Sequence, residues 1–190
     1  YLDAEGNERF DQTRNESDKL GAKFTLRRDG LLNNRLSIAT GIDVIQDETR
    51  QTLVQTNREY VPETRYRNVA VFLQGEFRLL DPLTLHAGVR QEYAQLDVGS
   101  FSTIDRDDAT QDNVSVGGGR PSFNETLYNV GLVYQVTHWA QLFANYSEGF
   151  GMPDVGRVLR GIDEPGRDVD ELLELEPIVT DNIEVGTRID

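Results

Sequence analysis

The feature that most constrains this chain is a period-two alternation of apolar and polar side chains, repeated in segment after segment. From Leu32 to Val44 the even positions carry Leu32, Asn34, Leu36, Ile38, Thr40, Ile42 and Val44, while the odd positions carry Asn33, Arg35, Ser37, Ala39, Gly41 and Asp43. Successive side chains of an extended strand point to opposite faces, so this segment makes one apolar and one polar or small face. A helix would scatter the same residues around its circumference. The pattern recurs in Leu20, Ala22, Phe24 and Leu26, in Val69, Val71, Leu73, Phe77 and Leu79, and in Leu83, Leu85, Ala87 and Val89. It returns in Tyr128, Val130, Leu132, Tyr134 and Val136, in Ala140, Leu142, Ala144 and Tyr146, and in Ile183, Val185 and Ile189. The alternation therefore predicts seven strands, several of them ten or more residues long. Strands of soluble proteins cluster near five or six residues, whereas a tilted strand crossing a bilayer needs about 9–11.

The connections sharpen this expectation. Short turns are predicted at Asp29-Gly30, at Leu80-Asp81-Pro82 and at Thr137-His138, where turn-forming residues interrupt the alternation. Between these hairpins lie long polar stretches, about Gln46 to Arg65, Asp97 to Ser122 and Gly149 to Thr180. Tight turns at one end and large loops at the other are the rhythm of a transmembrane barrel, with the loops outside the cell. Tyr66, Trp139, Tyr128 and Tyr134 fall near strand ends, where amphipathic rings form interfacial girdles or act as ordinary strand formers.

Composition is consistent with this and excludes other classes. The 190 residues are 37 % hydrophobic and 27 % charged, and the longest apolar run, Val69 to Leu73, is five residues, so no helical membrane span is predicted. Low mean hydropathy does not argue against a barrel, because only every second strand residue meets lipid. A formal net charge of −14 excludes the basic footprint that nucleic acid requires. Without cysteine there is no disulfide framework, thiolate nucleophile or cysteine zinc site. The first residues, Tyr1-Leu2-Asp3-Ala4-Glu5, are neither a signal peptide nor a start methionine, so the chain is expected to be an excerpt of a longer protein.

Signatures of catalysis do not converge. Gly149-Phe150-Gly151 lacks the third glycine of a dinucleotide fingerprint at Asp154, and Gly117-Gly118-Gly119 lacks the Lys-Ser/Thr of a phosphate loop. His86 on a polar strand face and His138 in a turn read as solvated side chains. Asp105, Asp107 and Asp108 lack the glycine and terminal glutamate of a calcium loop and read as a solvated acidic loop. No enzyme activity, cofactor or resident metal is expected.

Four segments resemble the barrel of TonB-dependent outer-membrane receptors. They are Val71-Phe72-Leu73-Gln74-Gly75-Glu76-Phe77-Arg78-Leu79, then Leu83-Thr84-Leu85-His86-Ala87-Gly88-Val89-Arg90 with Tyr93. The third runs from Leu142 through Asn145-Tyr146-Ser147-Glu148-Gly149-Phe150-Gly151-Met152-Pro153, and the fourth is Leu175-Glu176-Pro177 with Asn182, Glu184 and Gly186. The resemblance implies an all-β, antiparallel up-and-down barrel of about 22 strands closed by an N-terminal plug. Residues 1–190 would supply about seven of those strands, with the plug outside them. It further implies uptake of a ferric siderophore or a similar scarce nutrient, powered through the TonB coupling protein acting on the plug, in the lipid of a Gram-negative outer membrane. Many ferric siderophores are anionic, so arginine and aromatic residues of the loops are the candidate ligand contacts: Tyr93, Phe101, Arg106, Arg120, Arg157 and Arg160. The bland reading of each is a solubilising loop side chain, and the acidic surround would equally suit a cationic or metal-chelate ligand. A passive porin or channel shares the strand pattern, and a soluble β-sheet binding module remains the third alternative.

Overall fold

The computed structural model of the chain describes residues 12–55, 58–104, 113–152, 155–160, 168–172 and 176–189. Its strands are β1 (Thr13–Gly30), β2 (Leu36–Leu53), β3 (Arg58–Leu80), β4 (Leu83–Val98), β5 (Phe101–Ile104), β6 (Asn113–Val116), β7 (Ser122–Thr137), β8 (Ala140–Gly151) and β9 (Ile178–Ile189). Seven of them form one antiparallel sheet in the order β1-β2-β3-β4-β7-β8-β9, and β5-β6 is a separate small hairpin. Every neighbour in the large sheet is the next long strand in the chain, the up-and-down connectivity that alternation and loop rhythm predict.

Pairing places each predicted apolar set on one common face. Phe24, Ile42, Val71 and Gln91 stand in one row across β1 to β4, and the next such row is Leu26, Thr40, Leu73, Val89 and Tyr128. This outer face is exposed despite its apolarity: Val71 is 44 % and Leu132 43 % accessible. On the opposite, inner face Phe72 is 8 % and Glu92 6 % accessible. An apolar face left uncovered, with Thr64, Asn68 and Glu92 covered on the other side, is the pattern expected of a wall with lipid on one side. Among the described residues no helix is long and apolar enough to cross a membrane.

The register also gives the tilt. Leu36, the first residue of β2, pairs with Phe77, three residues before β3 ends at Leu80. Leu83, the first of β4, pairs with Tyr134, three residues before β7 ends at Thr137. A stagger of about 10 Å per two strands, themselves about 10 Å wide, corresponds to a tilt of roughly 45°, the value of transmembrane barrels. Tyr93 and Tyr128 then stand nine to ten residues above the short-turn end, a climb of about 23 Å, close to the roughly 25 Å apolar band of such barrels. They form an upper girdle, with Tyr134 and Trp139 near the lower rim. Tyr66 does not belong to either girdle: it lies on the inner face, packed against buried residues of the loop cluster.

Two expected connections differ. The stretch from Gln46 to Arg65 is not a loop, because β2 and β3 continue as a tall hairpin with only residues 54–57 between them. Above the apolar band its outer face is held by ion pairs instead, Arg50 with Glu16 and Arg65 Nε with Glu48 Oε1 at 2.5 Å. The first short turn is longer than Asp29-Gly30: residues 31–34 make it, with Leu32, Asn33 and Asn34 at positive φ (48°, 58° and 63°), so β2 begins at Leu36. The other two long connections are as expected, carrying the β5-β6 hairpin and the short helices Val155–Arg160 and Val169–Leu172.

Candidate functional site

The inner face carries its charge in one compact group. Lys23, Asp43, Ala70 and Glu92 share one row across β1 to β4, and Gly41, Phe72 and Arg90 share the next. Arg90 Nη1 donates to Asp43 Oδ2 at 2.6 Å and Arg90 Nε to Glu92 Oε1 at 2.5 Å, while Asn68 Nδ2 donates to Glu92 Oε2 at 2.8 Å. Asp43 Oδ1 is buried, accepts no hydrogen bond among the described residues and faces Lys23 Nζ at 3.6 Å. The Phe72 ring lies between the two cations, 5.2 Å from Lys23 Nζ and 6.0 Å from Arg90 Cζ. A ring can lie there because its cross-strand partner is Gly41: a Cβ at Gly41 would stand 2.8 Å from the Phe72 ring and 2.2 Å from the Phe24 carbonyl. Phe143 covers Gly186 in the same way on β8 and β9. An aromatic ring covering a cross-strand glycine restores the contact that the glycine lacks.

Toward the loop end the inner face turns apolar and the loops fold onto it. An irregularity in the β2-β3 register between Thr49 and Thr52 interrupts the alternation, so that Val61 joins a buried cluster with Leu96, Val98, Phe101, Val114, Val116, Leu159 and Val169. The two long connections meet here. Gly117 bridges Asp168, the Val169 amide donates to the Gly117 carbonyl at 3.1 Å, and the Arg120 amide donates to Asp170 Oδ1 at 2.8 Å. Below this layer lies a pocket of about 420 Å³. Thr49, Thr64, Tyr66 and Leu96 form its wall, Asp47 its edge, and Phe150 near the end of β8 with Met152 and Val155 of the β8–β9 connection its roof. β8 loses β7 as a partner after Ser147 but stays paired with β9 as far as Gly151, and this end of β8 reaches the pocket. Burial pushes the Tyr66 phenol above the usual tyrosine range.

The structure distributes the predicted contacts unevenly. Tyr93 faces outward beside Val69, in the upper girdle, and Phe101 is buried in the loop cluster at 5 % accessibility. Arg120 is exposed with Nε 3.4 Å from Asp97 Oδ2, and Arg157 is an exposed residue of the helix Val155–Arg160 that roofs the pocket. Arg160 ends that helix; Arg106, with Asp105, Asp107 and Asp108, lies outside the described residues. Of the described candidates Tyr93, Phe101, Arg120 and Arg157, none lines the pocket; its wall residues Thr49, Thr64, Tyr66 and Leu96 belong to strands that continue past the apolar band. Residues 150–152 fall in a segment that resembles the family, and Tyr66 is one of the strand-end aromatics, expected in a girdle rather than in a pocket.

The chain is similar to proteins of known identity. The chain is 27 % identical over 182 residues to the ferric aerobactin receptor of Klebsiella pneumoniae, covering 80 % of this chain and 24 % of that receptor. It is 31 % identical over 99 residues to the rhizobactin receptor of Rhizobium meliloti (strain 1021), covering 49 % of this chain and 13 % of that receptor. The chain thus spans about a quarter or less of the curated relatives it matches. Among solved structures, the copper transporter OprC superposes with a TM-score of 0.71 at 13 % identity, over 94 % of this chain and 28 % of that one, a likeness of fold. The family profile described as "TonB dependent receptor-like, beta-barrel" matches residues 2–190. Barrels of that family are outer-membrane proteins of Gram-negative bacteria, and the family is one of transport receptors. The chain belongs to the TonB-dependent receptor β-barrel family.

Proposed function

We propose that this chain is barrel wall of a receptor in the outer membrane of a Gram-negative bacterium, which takes up a ferric siderophore with energy delivered through TonB. The observation that carries the reading is the match to the ferric aerobactin receptor across 80 % of the chain, within a family profile matching residues 2–190. The geometry supports it in two ways. The outer face is a lipid-facing band of the right height, and the inner face carries a partnered charge group below an apolar pocket under folded-in loops, a surface suited to holding a ligand rather than to letting solutes diffuse past. No bond of the ligand is made or broken; the wall and loops bind it, and a plug elsewhere in the polypeptide releases it inward.

The test is uptake of radiolabelled iron as ferric aerobactin by iron-starved cells carrying the intact gene. Accumulation is expected to saturate with concentration and to vanish when either this gene or tonB is deleted. Uptake that persists without TonB and rises linearly with concentration would overturn the reading in favour of a passive channel.

A further inference from the structure

The pocket beneath the loop layer differs in character from the charge group lower on the same face. Its wall and roof present Tyr66, Leu96, Phe150, Met152 and Val155 with the hydroxyls of Thr49 and Thr64. Among the described lining residues Asp47 alone is charged, and it is already neutralised, with Lys19 Nζ 2.8 Å from its Oδ2 and the Ser17 hydroxyl donating to Oδ1 at 3.2 Å. Among the described residues no cation lines the pocket to receive a carboxylate or an anionic chelate centre, and no unpaired carboxylate lines it to receive an ammonium. A charged group entering an apolar site without a partner loses its hydration uncompensated, whereas a neutral apolar group gains by leaving water. A volume of about 420 Å³ is ample for a side arm of a ligand.

We propose that this pocket is a subsite for a neutral, apolar arm of the ligand, an alkyl or acyl chain ending in an uncharged polar group that meets the threonine hydroxyls. The ligand's charged chelating centre lies outside it. This assignment rests on the receptor reading only for the owner of the arm; the pocket's preference for neutral over charged chains is a property of these residues themselves. It makes Met152, Phe150 and Val155 specificity-determining residues. Each methylene buried there strengthens binding by a factor of about four.

The test uses the intact receptor in lipid nanodiscs with ¹³C-methyl-labelled methionine, the Met152 signal being assigned with Met152→Leu. The probes are hexanamide, hexanoate and hexylammonium, equal in chain length and different in charge. Hexanamide is expected to shift the Met152 methyl signal saturably, with the two charged probes at least about tenfold weaker. Val155→Asp, which places a carboxylate in the roof, is expected to abolish the hexanamide response, and Val155→Leu to keep it, which separates pocket binding from partition into the lipid. An equal response to all three probes, no shift of Met152, or a response that survives Val155→Asp overturns the subsite. Occupancy of the pocket by another segment of the polypeptide would show as no shift and counts against the proposal equally. TonB-dependent uptake is measured separately, so a failed pocket and a failed receptor reading give different results.

Discussion

Leu132→Arg on β7 tests the assignment of faces and the tilt together. Leu132 lies on the outer face, in register with Leu85 and Ala144, five residues above the end of β7 at Thr137. At about 3.3 Å per residue and a tilt of roughly 45°, five residues climb about 12 Å. That places the side chain at the middle of the band bounded by Tyr134 and Trp139 below and Tyr93 and Tyr128 above. An arginine there faces hydrocarbon and destabilises a barrel by about 2–4 kcal/mol, against about 0–1 kcal/mol near either interface. In the folding equilibrium the midplane figure is roughly a thirty- to several-hundred-fold loss. Two controls isolate the cause. Val69→Arg, on the same face but level with the upper girdle, is expected to fall in the interfacial range. Val133→Arg, one residue along β7 and therefore on the inner face opposite Thr84 and Phe143, is expected to be milder than Leu132→Arg. Urea-unfolding midpoints of the intact receptor refolded into lipid vesicles give the ranking. Equal loss at Leu132 and Val133 would refute the face assignment; equal loss at Leu132 and Val69 would refute the height.

Gly41→Ala is expected to destabilise the barrel by about 1–3 kcal/mol, because the added methyl meets the Phe24 carbonyl and the Phe72 ring and neither neighbour has room to move; an unchanged urea midpoint would contradict this. Leu159→Ala removes a fully buried side chain from the loop cluster and should lower the local stability of the loop layer by about 2–5 kcal/mol, read as faster proteolysis within residues 99–121 and 152–177 while the strands stay protected. Proteolysis no faster than in the unaltered receptor would contradict a shared core for the two connections. In the tall hairpin, hydrogen bonds from Arg50 and Arg65 hold the Glu16 and Glu48 carboxyls below their ordinary pKa. A depressed carboxylate pKa stabilises the fold above the unfolded value of about 4.5, and the contribution is lost as pH falls through the lower folded value. Amide exchange in residues 47–53 and 59–65, corrected for intrinsic rate, should therefore accelerate below about pH 4.5 and stay flat above it.

How much of this could be read from the residues depends on which solvent each face meets. Where the outer face touches lipid, the alternation Val69, Val71, Leu73 or Leu20, Ala22, Phe24 is unmistakable, and those stretches locate all seven sheet strands. Above the band the outer face meets water, and the same strands carry Glu48, Arg50 and Arg65. Hydrophobic periodicity ends there although the hydrogen-bond ladder continues, which is why the tall β2-β3 hairpin reads as a loop. The family-like segments behave differently, because their distinctive residues are largely inner-face ones: Phe72, Gln74 and Glu76, then His86, Gly88 and Arg90, then Asn182, Glu184 and Gly186. Two of these glycines explain themselves once the rows are known, Gly186 under Phe143 and Gly88 under Asn129. The pocket was not legible at all. Its roof and wall come from strand ends more than fifty residues apart, and Val61 reaches the neighbouring cluster only through a break in alternation that no single strand announces.

The same distribution bears on how such a wall recognises a ligand. Selecting arginines as ligand contacts assumes that they are available, yet in a chain with 33 acidic and 19 basic side chains a cation is usually met by a carboxylate of its own. Lys19 is held by Asp47, Lys23 and Arg90 by Asp43, Arg50 by Glu16, Arg65 by Glu48 and Arg120 by Asp97. An anionic ligand binding any of these must displace a carboxylate that is already in place, so the gain is the difference between two ion pairs rather than the whole of one. Exposed pairs such as Arg120 with Asp97 yield at little cost, because water screens them. The Asp43 group, deep on the inner face and sharing two cations around Phe72, does not yield so readily. Charge on this wall therefore favours rigidity below and exchange at the rim, with the largely neutral pocket between them.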